Sequence, residues 1–79
     1  MNIKAYERNN STIFLFEEPT NNLKYGVMYV NEKFIKSGSS VEPDESYEEV
    51  YLEDFYGESK RMINESKRFF EAHKEIVCQ

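Results

Sequence analysis

The sequence predicts an α+β domain: an antiparallel β-meander of three to four strands, followed by two C-terminal helices packed on one sheet face. Three observations predict it. Residues 1–37 fall into short β-branched and aromatic stretches separated by turn residues, whereas residues 42–77 place apolar residues at helical spacing. A chain of 79 residues also makes a single domain, 1–79, at the size where one core is only just sufficient. Six Phe and six Tyr supply that core, because each aromatic brings a large buried area.

The strand half reads in order. Ile3 to Glu7 is a short strand, closed by Arg8-Asn9-Asn10-Ser11, whose paired Asn residues tolerate the left-handed backbone of a tight turn. Thr12 to Glu17 is apolar on both faces, Ile13 and Leu15 against Phe14 and Phe16, as a central strand covered on both sides requires. Glu18 to Asn22 is a loop by composition. Leu23 to Val30 follows, with Leu23, Tyr25, Val27 and Tyr29 on one face. Gly26 inside that strand implies a bulge or a large side chain crossing above it. Asn31-Glu32 turns the chain into Lys33 to Ser37, an edge strand whose lysines discourage edge-to-edge pairing.

Ser37-Gly38-Ser39-Ser40 ends the alternation, and an acidic helix is expected over 42–57. Ser46 with Glu49 fits a capping box, and Tyr47, Val50, Tyr51 and Phe55 follow helical spacing. Gly57 ends or bends this helix. A second helix is expected over 58–77, its stripe formed by Met62, Ser66, Phe69, His73 and Ile76 and widened by Ile63, Phe70 and Val77.

The charge is unevenly spread. Glu42, Asp44, Glu45, Glu48, Glu49, Glu53, Asp54 and Glu58 fall in one stretch with no basic residue among them, and that stretch holds the whole excess behind the net charge of −5. One reading is a solvated helix face that serves solubility and the helix dipole. The other is a surface that steers a basic partner, with Tyr47, Tyr51 and Tyr56 interleaved as contact residues, although at least one of the three must pack inward. Direct nucleic-acid binding is disfavoured. Lys60, Arg61, Lys67, Arg68 and Lys74 share the last helix, but glutamates interrupt them and the domain is acidic overall.

Catalytic equipment is missing from the sequence. His73 is the one histidine and falls on the apolar stripe; the only glycines are Gly26, Gly38 and Gly57, too few for a phosphate loop. No loop has calcium-ligand spacing, and no CxxC or second histidine offers a zinc site. We therefore expect no enzyme activity, no cofactor and no metal. Cys78 is the sole cysteine and has no partner for an internal disulfide, which fits a reducing compartment. With no apolar leader and no stretch approaching the ~20 apolar residues of a membrane span, a cytoplasmic chain is expected, in which the sequons at Asn9, Asn10 and Asn64 carry no glycan.

Two stretches resemble a known family. Met1-Asn2-Ile3 through Ala5-Tyr6-Glu7, with the polar turn and Ile13 after it, resembles the first hairpin of a small phage-encoded type I-F anti-CRISPR protein. Phe55-Tyr56-Gly57, followed by Arg61 and Asn64, is similar to the helical part of the same protein. The resemblance implies an antiparallel sheet with helices, a function in blocking the CRISPR surveillance complex by occupying its backbone subunits, and a contact role for Tyr6. The expectation is thus a non-enzymatic inhibitor that binds a basic, nucleic-acid-handling protein. Its expected contact residues are Tyr6, Glu45, Glu48, Glu49, Tyr51, Glu53, Asp54 and Tyr56. The alternative is a self-associating adaptor, dimerising through the aromatic sheet face.

Overall fold

The computed structural model describes residues 1–77. It is an α+β domain with five antiparallel strands: β1 (Asn2–Arg8), β2 (Ser11–Glu18), β3 (Leu23–Val30), β4 (Lys33–Gly38) and β5 (Glu48–Val50), and one helix, α1 (Lys60–Val77). The sheet order is β4-β3-β2-β1-β5, so the first four strands form a meander with β5 added at its far edge. Cys78, expected to be unpaired, lies outside the described residues.

Short turns hold the meander in register. Asn9 adopts a left-handed φ of 54° between β1 and β2, as the paired Asn residues foretell. Asn31 and Glu32 both take positive φ, 53° and 64°, which matches the right-handed twist of the strands they join. β2 is the middle strand, and every residue from Ser11 to Phe16 is buried. That accounts for its apolar character on both faces.

Each face of the sheet has its own cover. α1 lies on one face, where Phe14, Phe16, Tyr25, Val27 and Tyr29 meet Met62, Ile63 and Phe70. Phe16 stacks on Phe70 at 5.1 Å, and Phe14 meets Phe55 edge-on at 5.3 Å. Burying one such side chain contributes about 1.5–3 kcal/mol. Ser66 sits within the apolar stripe because its hydroxyl donates to the Met62 and Ile63 carbonyls (2.7 and 3.0 Å). His73 is half-buried against Tyr25, with ring centroids 4.5 Å apart.

Residues 39–47 form a strap over the other face. The chain leaves β4 at one edge and crosses above Ile13 and Met28 to reach β5 at the other. Gly26 marks the crossing. A Cβ placed there would lie 1.8 Å from the Val41 carbonyl oxygen, so the close approach expected at this glycine is made by backbone, not by a bulge or a large side chain. The one register shift between β3 and β4 falls instead at Met28/Tyr29. Tyr47 fastens the far end of the strap, its hydroxyl 2.8 Å from Ser11 Oγ and its ring under the Arg8 guanidinium at 5.3 Å.

Three expectations are corrected. The acidic helix over 42–57 does not exist: the segment is the end of the strap, the three-residue β5 and a 3-10 turn at Leu52–Asp54. Consequently the described residues form five strands and one helix, not three to four strands and two helices. Ser46 does not cap a helix; it takes a hydrogen bond from Arg8 Nη1 (2.9 Å) and donates to the Asp44 carboxylate. A helix here would set Glu45 against Glu49, Glu49 against Glu53 and Asp54 against Glu58 at the spacing where like charges repel. The expected second helix is present as α1. It is preceded by a 3-10 turn at Gly57–Ser59, where Gly57 has a φ of 62°.

Candidate acidic edge

The candidate surface follows from where β5 lies. β1 pairs with β5 through Ala5↔Val50, Tyr6↔Glu49 and Glu7↔Glu48. Alternation then sends Ala5 and Val50 into the core beneath α1, together with the Glu7 and Glu48 positions at the end of that face. Tyr6 and Glu49 point to the strap side. Two carboxylates thus stand directly opposite on neighbouring strands, a pairing that destabilises a sheet.

The eight expected contact residues lie on β1, the strap end, β5 and the segment that leads into α1, a different frame from the one expected. Tyr6 is half-buried on β1, between Ile13 and Glu49. Glu45 is exposed at the end of the strap, and Glu48 and Glu49 are exposed on β5. Tyr51 is 74 % exposed just after β5, Glu53 and Asp54 are exposed on the following turn, and Tyr56 is 77 % exposed before α1. The third tyrosine, Tyr47, is the one that packs inward, against Ser11 and Arg8.

These carboxylates have no cation of their own. Among the described residues, Glu45, Glu48, Glu49, Glu53, Asp54 and Glu58 make no ion pair, and from the acidic stretch only Glu42 reaches a lysine, Lys24, at 3.9 Å. Asp44 is held in place locally. Hydrogen bonds from the Ser46 hydroxyl and backbone N–H, the latter 2.8 Å, lower its pKa below the ordinary carboxylate value.

Beside this edge is a cleft that sequence reading does not reveal. The β1–β2 turn, the β3–β4 turn and the segment from Asp54 to Met62 enclose about 460 Å³. Glu7, Glu32, Asp54, Thr12, Ser59 and Phe55 are among the residues that line it, and the Arg61 guanidinium stands at its border, donating to the Glu32 carbonyl at 3.4 Å. Such a lining suits the cationic end of a lysine or arginine, which can donate charge-assisted hydrogen bonds there. Glu7 and Glu32 carry no sequence signal because turns far apart in the chain bring them together. Among the described residues no group of three His, Cys, Asp or Glu side chains could hold a metal ion, and no helix is long and apolar enough to cross a membrane.

Tyr25, Val27 and Tyr29 are buried beneath α1, and Tyr29 donates to Glu65 at 2.6 Å. Burial, followed by that carboxylate, pushes the Tyr29 hydroxyl far above its ordinary pKa of 10.0. Comparison with protein-family models, with curated proteins and with solved structures returns no match.

Proposed function

We propose that this chain is a non-enzymatic binding protein that engages a basic, nucleic-acid-handling protein through its acidic β5 edge, in the manner of a small inhibitor encoded by a phage or mobile element. The observation that carries the reading is the row of exposed, unpaired carboxylates along one edge: Glu45, Glu48, Glu49, Glu53, Asp54 and Glu58. Solubility alone would be served as well by dispersed charge, without the Glu7–Glu48 repulsion that this arrangement retains. A partner that normally holds nucleic acid presents clustered Lys and Arg, and the field of the edge attracts such a surface over about a Debye length, ~8–10 Å at ordinary salt.

Tyr51 and Tyr56 add the second ingredient. Exposed tyrosines give an interface large contact area at small entropic cost, and they flank the acids. The cleft beside them takes one inserted basic side chain of the partner. The resemblance of Ala5-Tyr6-Glu7 to an anti-CRISPR hairpin makes the backbone subunits of a CRISPR surveillance complex the first partners to try.

Capture experiments test the proposal. Immobilised wild-type chain and the triple variant Glu48→Lys, Glu49→Lys, Glu53→Lys are exposed to lysate of the native host, with circular dichroism to verify that both are folded. Wild type is expected to retain basic, nucleic-acid-handling proteins that the variant does not. Equal capture by both overturns the reading.

A further inference from the structure

The opposite edge of the sheet has the reverse character. β4 pairs only with β3, so the backbone groups on its outer side have no strand partner among the described residues. Phe34 and Ile35 on this strand are 44 % and 51 % exposed. Phe34 lies against Phe69 of α1, ring centroids 4.9 Å apart, so the apolar surface steps from the strand up onto the helix flank. Ile76, seven residues beyond Phe69 and therefore on the same flank, is 75 % exposed.

Among the described residues the cations beside this step make no ion pair, and Glu32, Glu42 and Asp44 lie near them. Lys33 and Lys36 are exposed on β4, and Arg61 reaches the β3–β4 turn, where its Nη2 donates to the Glu32 carbonyl at 3.4 Å. Glu65 on the same helix flank is engaged by the Tyr29 hydroxyl. The two lysines repel a second copy's β4 and any basic segment, but they favour a strand that carries carboxylates.

From this juxtaposition we propose that β4 is a docking edge for an extended acidic peptide segment of another protein. The segment adds as a sixth strand beside Lys33–Gly38. A strand there lies about 4.8 Å away, and its side chains alternate between the two faces. Every second one rests on the Phe34–Phe69 step, while carboxylates at the alternate positions meet Lys33 and Lys36 on the strap side. The proposal uses the far edge from the β5 carboxylates and does not rest on the function proposed for them.

A random peptide library displayed on phage, selected against the full immobilised chain, tests the inference. The expected result is enrichment of peptides that alternate apolar residues with Asp or Glu. Binding of a synthetic version should slow amide hydrogen exchange along Lys33–Gly38 and leave β5 unchanged. The double variant Lys33→Glu, Lys36→Glu should weaken it at least tenfold while keeping the circular dichroism of the parent. Enrichment of basic sequences, no enrichment, protection elsewhere than β4, or unchanged affinity in the double variant would each overturn it. So would sedimentation showing that copies of the chain pair through β4, since the occupant would then be the chain itself.

Discussion

The two edges of one sheet are finished in opposite ways. β4 is six residues long, carries Lys33 and Lys36, and leaves Phe34 and Ile35 partly exposed. β5 is three residues long and carries Glu48 and Glu49, with Glu45 before it and Glu53 and Asp54 after it. Either edge repels a copy of itself, because like charges would face one another. The domain therefore carries lysines on one edge strand and glutamates on the other, on a core that belongs to neither. Net charge is therefore a poor guide to this molecule: −5 is the sum of a strongly acidic stretch and a mildly basic remainder.

The largest expected effect comes from breaking the strap that joins the edges. Gly26→Val places side-chain atoms where the Val41 carbonyl now sits, so the strap must lift from the sheet. Denaturant titration should show a loss of about 3 kcal/mol. Because the strap leads directly into β5, the amides of Glu48–Val50 should lose protection before those of β4.

Next in size is Tyr29→Phe, which loosens α1 from the side of the sheet nearest β4. It removes the 2.6 Å hydrogen bond to Glu65, at a cost of about 2 kcal/mol near neutral pH. The same variant has a signature in alkali. Since burial and Glu65 raise the folded-state pKa of Tyr29, the unfolded chain ionises first, and stability falls as pH climbs above 10.0 toward the folded value. The phenylalanine variant should lack that part of the alkaline loss, as thermal melts between pH 9 and 11 would show; an identical alkaline slope would contradict the burial assigned to Tyr29.

A smaller effect sharpens the acidic edge itself. Glu7→Gln relieves its opposition to Glu48 and should stabilise the fold by about 0.5 kcal/mol, read as a raised denaturant midpoint at low salt. The same change removes one carboxylate from the cleft, so partner affinity should fall as stability rises. A variant that gained stability and kept full affinity would take the cleft out of the interface.

The four strands of the meander were legible because their signals are local, whereas β5 was not. Asn9, Asn31 and the two-faced apolar run of β2 each state their role within a few residues. Residues 42–57 misled because Tyr47, Val50 and Phe55 do suit one helical face, yet the chain uses them on two sides of the sheet. Tyr47 packs toward Ser11 on the strap side, while Val50 and Phe55 pack under α1. Periodicity cannot distinguish one buried stripe from a segment that wraps an edge. The repulsions between Glu45 and Glu49 and between Glu49 and Glu53, with β-branched and aromatic residues between them, were the available sign against a helix. The acidic site was legible in composition but not in shape: its residues were identifiable, whereas its edge geometry and the Glu7–Glu32–Asp54 cleft depend on strand pairing across the chain.

The central claim is that the β5 edge binds and the β4 edge is not needed for it. The direct measurement is the dissociation constant of a captured partner at rising salt, for wild type, the Glu48→Lys, Glu49→Lys, Glu53→Lys variant and the Lys33→Glu, Lys36→Glu variant. Wild type should bind in a salt-sensitive manner, the first variant should lose at least a hundredfold in affinity, and the second should change little. Affinity that survives the triple reversal, or that fails only when β4 is altered, would contradict it.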